Sequence, residues 1–277
     1  MMKHLSLATV VITGLLLIYI TGSFPAWGDP NSPASTHLSN HYITKTMEET
    51  SVPNIVSAVL GDYRGFDTMF ETTVVFCAGM AVFFMLGAYK RDQPTVRQFR
   101  HTETGVVLRF RNGAKTPREG GAFEEIDPTW IPYDFIVSRV AKLMVPFIQI
   151  FGLYVIAHGH HSPGGGFQGG VILAAAFLLL GLSHNMRTLI NRVSNKALGL
   201  MSAAGVVIYA GYGALAMIYG GNFLDYSALA GLLGMDPVAA RSFGILVIEI
   251  GVGLTVMSTM VIIYNNVASV GRYDEGL

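Results

Sequence analysis

Glu249 stands in an apolar run, residues 243–259, that contains no basic residue to neutralise it. A carboxyl placed among lipid-embedded side chains is costly, and its default reading is an ion or proton route. Glu249 is therefore read as a proton-exchangeable or ion-coordinating group. The alternative is a hydrogen bond that ties neighbouring helices together.

A second acidic pair, Asp67 and Glu71, stands four residues apart at the entrance to another apolar run, preceded by Asp62 and Arg64. Helical spacing puts the pair on one face. Two such carboxylates converging near a membrane surface could offer oxygens to a hard cation or share a proton. Their plainer role is to begin a helix, Asp67 as its cap and Glu71 against its positive end.

The segment from His158 through His160 and His161 to the glycines 164–166 and 169–170 joins two short apolar runs. Segments of this kind can line a transport site, because unwound backbone offers carbonyls to ions. Clustered imidazoles titrate near neutrality and can pass protons. A rigid hairpin with interfacial imidazoles is the alternative, and a re-entrant loop fits the pattern too. A metal site lacks an accompanying Cys or acid, so neither metal nor cofactor is expected. Gly164, Gly166 and Gly169 match a dinucleotide fingerprint in spacing, but no Asp or Glu follows until Asp225 and the setting is apolar, so a nucleotide site is rejected. No catalytic residue is assigned, and an enzyme is not expected.

Lys142 and Arg139 border the start of the run that leads to the histidines, with Pro146 one turn further on. Both can snorkel to headgroups, and Lys142 can alternatively join a charge pathway.

The elements that must position these groups are membrane helices. Six apolar stretches run over 5–21, 68–88, 142–158, 167–183, 198–219 and 242–264, most of them near the ~20 residues that cross a bilayer. The 277-residue chain is 51% hydrophobic and 13% charged, about half the charge of a soluble domain. Continuous apolar runs exclude a membrane barrel, whose strands alternate. Fifteen of the 18 Lys and Arg fall on one side of the alternating topology, which predicts an even number of spans with both termini cytoplasmic. The first stretch also fits a secretory signal, retained or cleaved. The lone Cys77 permits no intrachain disulfide. Nothing points to nucleic acid.

The expected fold is all-α and polytopic, with about six spans in a two-plus-four arrangement. A two-helix module covers 1–95, a basic cytoplasmic linker 96–134 and a four-helix domain 135–277. Residues 25–50 read as an irregular loop. In the linker, 106–110 reads as a strand followed by a turn at Asn112-Gly113. Small residues in the last two spans, among them Gly199, Gly205, Gly211, Gly244, Gly251 and Gly253, suit close helix packing or docking of another subunit.

Residues 142–170 together with 243–253 resemble the MnhB subunit of multisubunit Mrp-type sodium/proton antiporters, over about 135–265. Glu249 occupies a position that is often Asp in that family. Residues 59–71 resemble a module found at the end of the large antiporter subunit, or as the small E-type subunit of ion-pumping membrane-bound hydrogenases. Met69-Phe70 stand there in place of the usual small residues. The resemblance implies a subunit of a complex in a prokaryotic cell membrane, acting beside large proton-channel subunits and small ones in exchanging Na+ for H+. It leaves two other readings: the membrane arm of a redox-driven complex, or a structural scaffold. The ion-path candidates are Glu71, Glu249 and Asp67, followed by His158, His160, His161 and Lys142.

Overall fold

The computed structural model describes residues 2–87, 96–111, 122–126, 135–184, 186–269 and 271. The chain divides into two compact units, Met1–Thr46 and Met47–Leu277. The first holds α1 (Met2–Thr21), an apolar helix exposed along its length, and a π-helical turn at Ala34–Leu38. Within 25–50 the structure forms α2 (Ser39–Thr50) where an irregular loop was expected. Its only apolar residues are Tyr42, Ile43 and Met47 among 12, too few to stand out as a helix in a polar stretch.

The second unit begins with α3 (Ile55–Ala58), capped by the Asn54 side chain, and continues through a π-helical turn, Val59–Tyr63, into α4 (Gly65–Gly87). The last four spans are α5 (Phe135–Ala157), α6 (Gly166–Ser183), α8 (Asn195–Ile218) and α10 (Pro237–Ser269). Short helices α7 (Met186–Arg192) and α9 (Ala230–Leu233) lie in the connections. Including α1, six helices are long and apolar enough to cross a membrane.

Helix α10 is the axis of the bundle, packing on α4, α6 and α8. Its 33 residues rise about 50 Å at 1.5 Å each, more than a ~30 Å hydrocarbon layer. It starts earlier than the apolar run because Asp236 accepts the Val238 amide at 3.1 Å and Pro237 suits a first turn. The close approach of α8 and α10 rests on glycines. A Cβ at Gly205 would strike Thr255 and the Gly251 carbonyl, and one at Gly251 would strike the Gly205 carbonyl. Gly199 and Gly211 face open space. Lipid gives apolar helices no hydrophobic reason to associate, so this backbone proximity and its dispersion contacts hold the pair.

Two buried clusters mark the two ends of the bundle. Val52, Tyr209, Tyr226, Ile245, Ile248 and Val252 gather at the hairpin end, where α5 turns into α6 and α8 connects to α10. Leu189, Leu198, Met257 and Val261 belong to the second, toward the end that carries Lys142 and Arg192. Helix α4 packs directly on α8 and α10. Tyr209 donates to the Gly65 carbonyl at 2.8 Å and Tyr226 to that of Gly61 at 3.0 Å, fastening the start of α4.

The segment between α4 and α5 carries more strand than one. β1 (Val96–His101) pairs antiparallel with both β2 (Val107–Arg111) and β3 (Phe123–Ile126), giving the order β2-β1-β3. Phe99 is buried in this small sheet against Phe110. The turn expected at Asn112-Gly113 lies outside the described residues.

Candidate functional site

At the hairpin end, the start of α4, α3 with its π turn, the 158–165 loop and the middle of α10 enclose a cavity of about 180 Å3. Glu71 and Glu249 both line it, together with Asn54, Ser57, Thr68 and Gln168. Glu249 is 12 residues into α10, about 18 Å from its start at helical rise, and is 9% exposed. Glu71 is exposed and lines the same cavity.

Backbone lies against the Glu249 carboxyl. A Cβ at Gly159 or Gly165 would overlap its oxygens, and one at Gly166 would strike the Glu249 carbonyl. The glycine run therefore lets the loop settle on the carboxylate with no side chain between. Oε2 of Glu249 is buried without a hydrogen-bond partner among the described residues, as is Thr68 Oγ1. Ser57, whose side chain neighbours the carboxyl, donates instead to the Gly159 carbonyl at 2.7 Å.

Asn54 holds the loop in place, and sequence reasoning did not single it out. Its Nδ2 donates to the carbonyls of Gly159 (2.8 Å) and Ser162 (2.5 Å), and its backbone N–H to that of His160 (2.9 Å). Its Oδ1 meanwhile accepts the Val56 amide at 3.1 Å and starts α3. A Pro-Asn pair before an apolar turn is a legible helix cap. Its long-range partners are not legible from the sequence.

The remaining candidates are distributed. Asp67 is exposed and bonded to Arg64, whose Nε donates to it at 2.5 Å. It lines a wider opening with Asp62 and Arg241 rather than the Glu71–Glu249 cavity. The helical spacing of Asp67 and Glu71 holds, yet their carboxyls serve different surroundings. Asp62 and Arg241 make a two-point ion pair at 2.7 and 2.8 Å, tying the π turn to α10. His158 is exposed and stacks on Tyr154 at 4.1 Å between ring centres, and His161 is exposed. His160 is half-buried with Nε2 unpartnered among the described residues, and burial, then the neighbouring His161, hold its imidazole below its ordinary value. Lys142 lies toward the opposite end of the bundle, about 24 Å along α5 from His158, in a groove with His184 and Arg192. Among the described residues no group of three His, Cys, Asp or Glu is arranged to hold a metal ion.

A carboxylate with one oxygen unpartnered among the described residues, backed by loop backbone and sharing a small cavity with a second acid, can accept a proton. It can equally offer oxygens to a monovalent cation.

The six apolar helices and this enclosed carboxylate define a multi-pass helical membrane protein with an internal polar site. Residues 136–262 match a domain related to the MnhB subunit of Na+/H+ antiporter, and residues 7–103 match MbhE, the E-type subunit of MBH. A putative antiporter subunit mnhB2 of Staphylococcus haemolyticus (strain JCSC1435) is 32% identical over 130 residues, covering 45% of this chain and 92% of that one. The A/B-type subunit of a probable K(+)/H(+) antiporter from Rhizobium meliloti (strain 1021) is 24% identical over 240 residues, covering 85% of this chain. The chain spans 23% of that relative's length. Among solved structures, a chain of the membrane-bound sulfane sulfur reductase, an archaeal respiratory membrane complex, superposes with a TM-score of 0.60 at 26% identity. That match covers 96% of this chain and 98% of the other. The chain belongs to the MnhB family of antiporter subunits, with an MbhE module ahead of the MnhB domain. It is a membrane subunit of the kind found in Mrp-type antiporter-like complexes.

Proposed function

We propose that this chain lines part of the ion path of a multisubunit monovalent cation/proton antiporter in a prokaryotic cell membrane. Glu249 is the exchanging carboxyl, and Glu71 is the group through which ions enter or leave its cavity. The observation that carries the reading is the shared cavity of about 180 Å3, which brings together two acids 178 positions apart in sequence, one of them buried with a free oxygen. A carboxylate is retained at such a depth for moving charge more readily than for packing. Sodium and potassium both fit oxygen ligands, and the relatives' names include exchange of each for protons.

In this reading α4 and the last four spans act as one ion-handling body beside larger proton-conducting subunits. The basic end faces the cytoplasm, following the bias of Lys and Arg. The test is cation-induced proton movement in membrane vesicles that contain the assembled complex with Glu71→Gln. A reduction of tenfold or more, with the subunits still co-purifying, supports the proposal. Undiminished exchange refutes Glu71's part in it.

A second reading is favoured by one observation, the near-complete match to a chain of a respiratory complex. Here the same cavity serves a redox-driven membrane arm. Purification through a tag on this chain separates the two: redox-cofactor subunits in the eluate favour the second, antiporter subunits alone the first.

A further inference from the structure

At the end of the bundle away from the carboxylates, α5, α6 and α7 form a groove of about 410 Å3. Val145, Phe177 and Leu180 line its apolar wall, while Lys142, His184 and Arg192 supply basic groups. Lys142 and Arg192 are exposed, and among the described residues neither meets a carboxylate at ion-pair distance. The sequence explains this, since no Asp or Glu occurs from 135 to 224. The His184 ring is already engaged, with Nε2 3.3 Å from the Ser138 hydroxyl and Nδ1 3.0 Å from that of Ser183. Burial, then the nearby Lys142 and Arg139, hold His184 below its ordinary value.

We propose that this groove binds an anionic phospholipid, with Lys142 and Arg192 holding the headgroup phosphate and the apolar wall receiving the first methylenes of an acyl chain. Charge complementarity favours an anion. The ends of membrane helices meet headgroups, and basic pockets between spans bind acidic lipids. The apolar wall selects a lipid over a free phosphate, which would leave it exposed to water.

The test begins with the full-length chain, purified in detergent, stripped of lipid and melted against added phosphatidylglycerol, phosphatidylcholine of the same acyl chains, or inorganic phosphate. The proposal predicts that phosphatidylglycerol protects at a concentration at least tenfold lower than phosphatidylcholine, and that phosphate does not protect. Lys142→Gln combined with Arg192→Gln should abolish the difference, while Lys142→Arg should keep it. Equal protection by the two lipids, protection by phosphate alone, or an unchanged double variant would overturn it. In the assembled complex, a photoreactive phosphatidylglycerol should cross-link to α5 or α7. If a photoreactive residue at position 188 instead captures a neighbouring polypeptide of the complex, a protein segment fills the groove and the lipid proposal fails.

Discussion

Asn54 donates to the carbonyl of Gly159, 105 residues away, at 2.8 Å. This one amide joins the segment ahead of α4 to the loop that covers Glu249. Because its other face caps α3, the residue couples that helix to the loop, beside the Ser57 bond to the same carbonyl.

Replacing Asn54 should therefore separate capping from clamping. Asn54→Asp keeps the acceptor for the Val56 amide but loses both side-chain donations to the loop. Asn54→Ala loses the cap and both side-chain donations, and keeps the backbone bond to the His160 carbonyl. We expect losses of roughly 1–3 kcal/mol for Ala and a smaller one for Asp, with faster amide exchange in 158–165 for both. Thermal melting and hydrogen exchange of the purified chain measure these effects.

Glycine at 165 is required by the carboxylate it touches. Gly165→Ala places a methyl where the Glu249 oxygens lie, so the loop must lift or the side chain must turn. Ion exchange should fall at least tenfold while the complex still assembles. Gly199→Ala meets nothing within 4 Å and should leave exchange and melting unchanged. Vesicle transport assays on the two variants provide the comparison.

The Asp62–Arg241 pair fixes the π turn to α10, with side chains only 10% and 24% exposed. Arg241→Ala strands a carboxylate in a poorly solvated place, at a cost of roughly 3–5 kcal/mol. Asp62→Asn with Arg241→Gln keeps a polar contact without charge and should lose less than Arg241→Ala alone. A double-mutant cycle on thermal stability tests the ordering.

His160 links stability to pH with a definite sign. Its imidazole sits below the ordinary 6.5 through burial and the adjacent His161, so the folded chain binds fewer protons than the unfolded one just below 6.5. Stability should decline as pH falls from 6.5 toward the lowered folded value, and level off beneath it. In His160→Gln that part of the decline should disappear, read from melting temperature across pH.

The spans were legible because lipid demands long apolar runs, and Glu249 was legible as the lone acid in one of them. What the sequence withheld was pairing at a distance. The residues from Val96 to His101 include three basic ones and read as linker, yet they form the central strand because partners from two further strands, one of them beyond 122, cover both edges. Asp67 and Glu71 share a helical spacing, but Arg64 takes the first while the loop end of the bundle takes the second. Spacing along one helix cannot specify which neighbours surround it. Asn54 shows the same limit, as its cap was readable and its clamp was not.

The most direct measurement uses membrane vesicles containing the complete complex with Glu249→Gln, an uncharged side chain of the same shape that leaves packing nearly intact. Cation-driven proton movement should fall at least tenfold, with subunit composition and melting temperature unchanged. Exchange at the unmodified rate in that variant would contradict the ion path and leave Glu249 a packing residue.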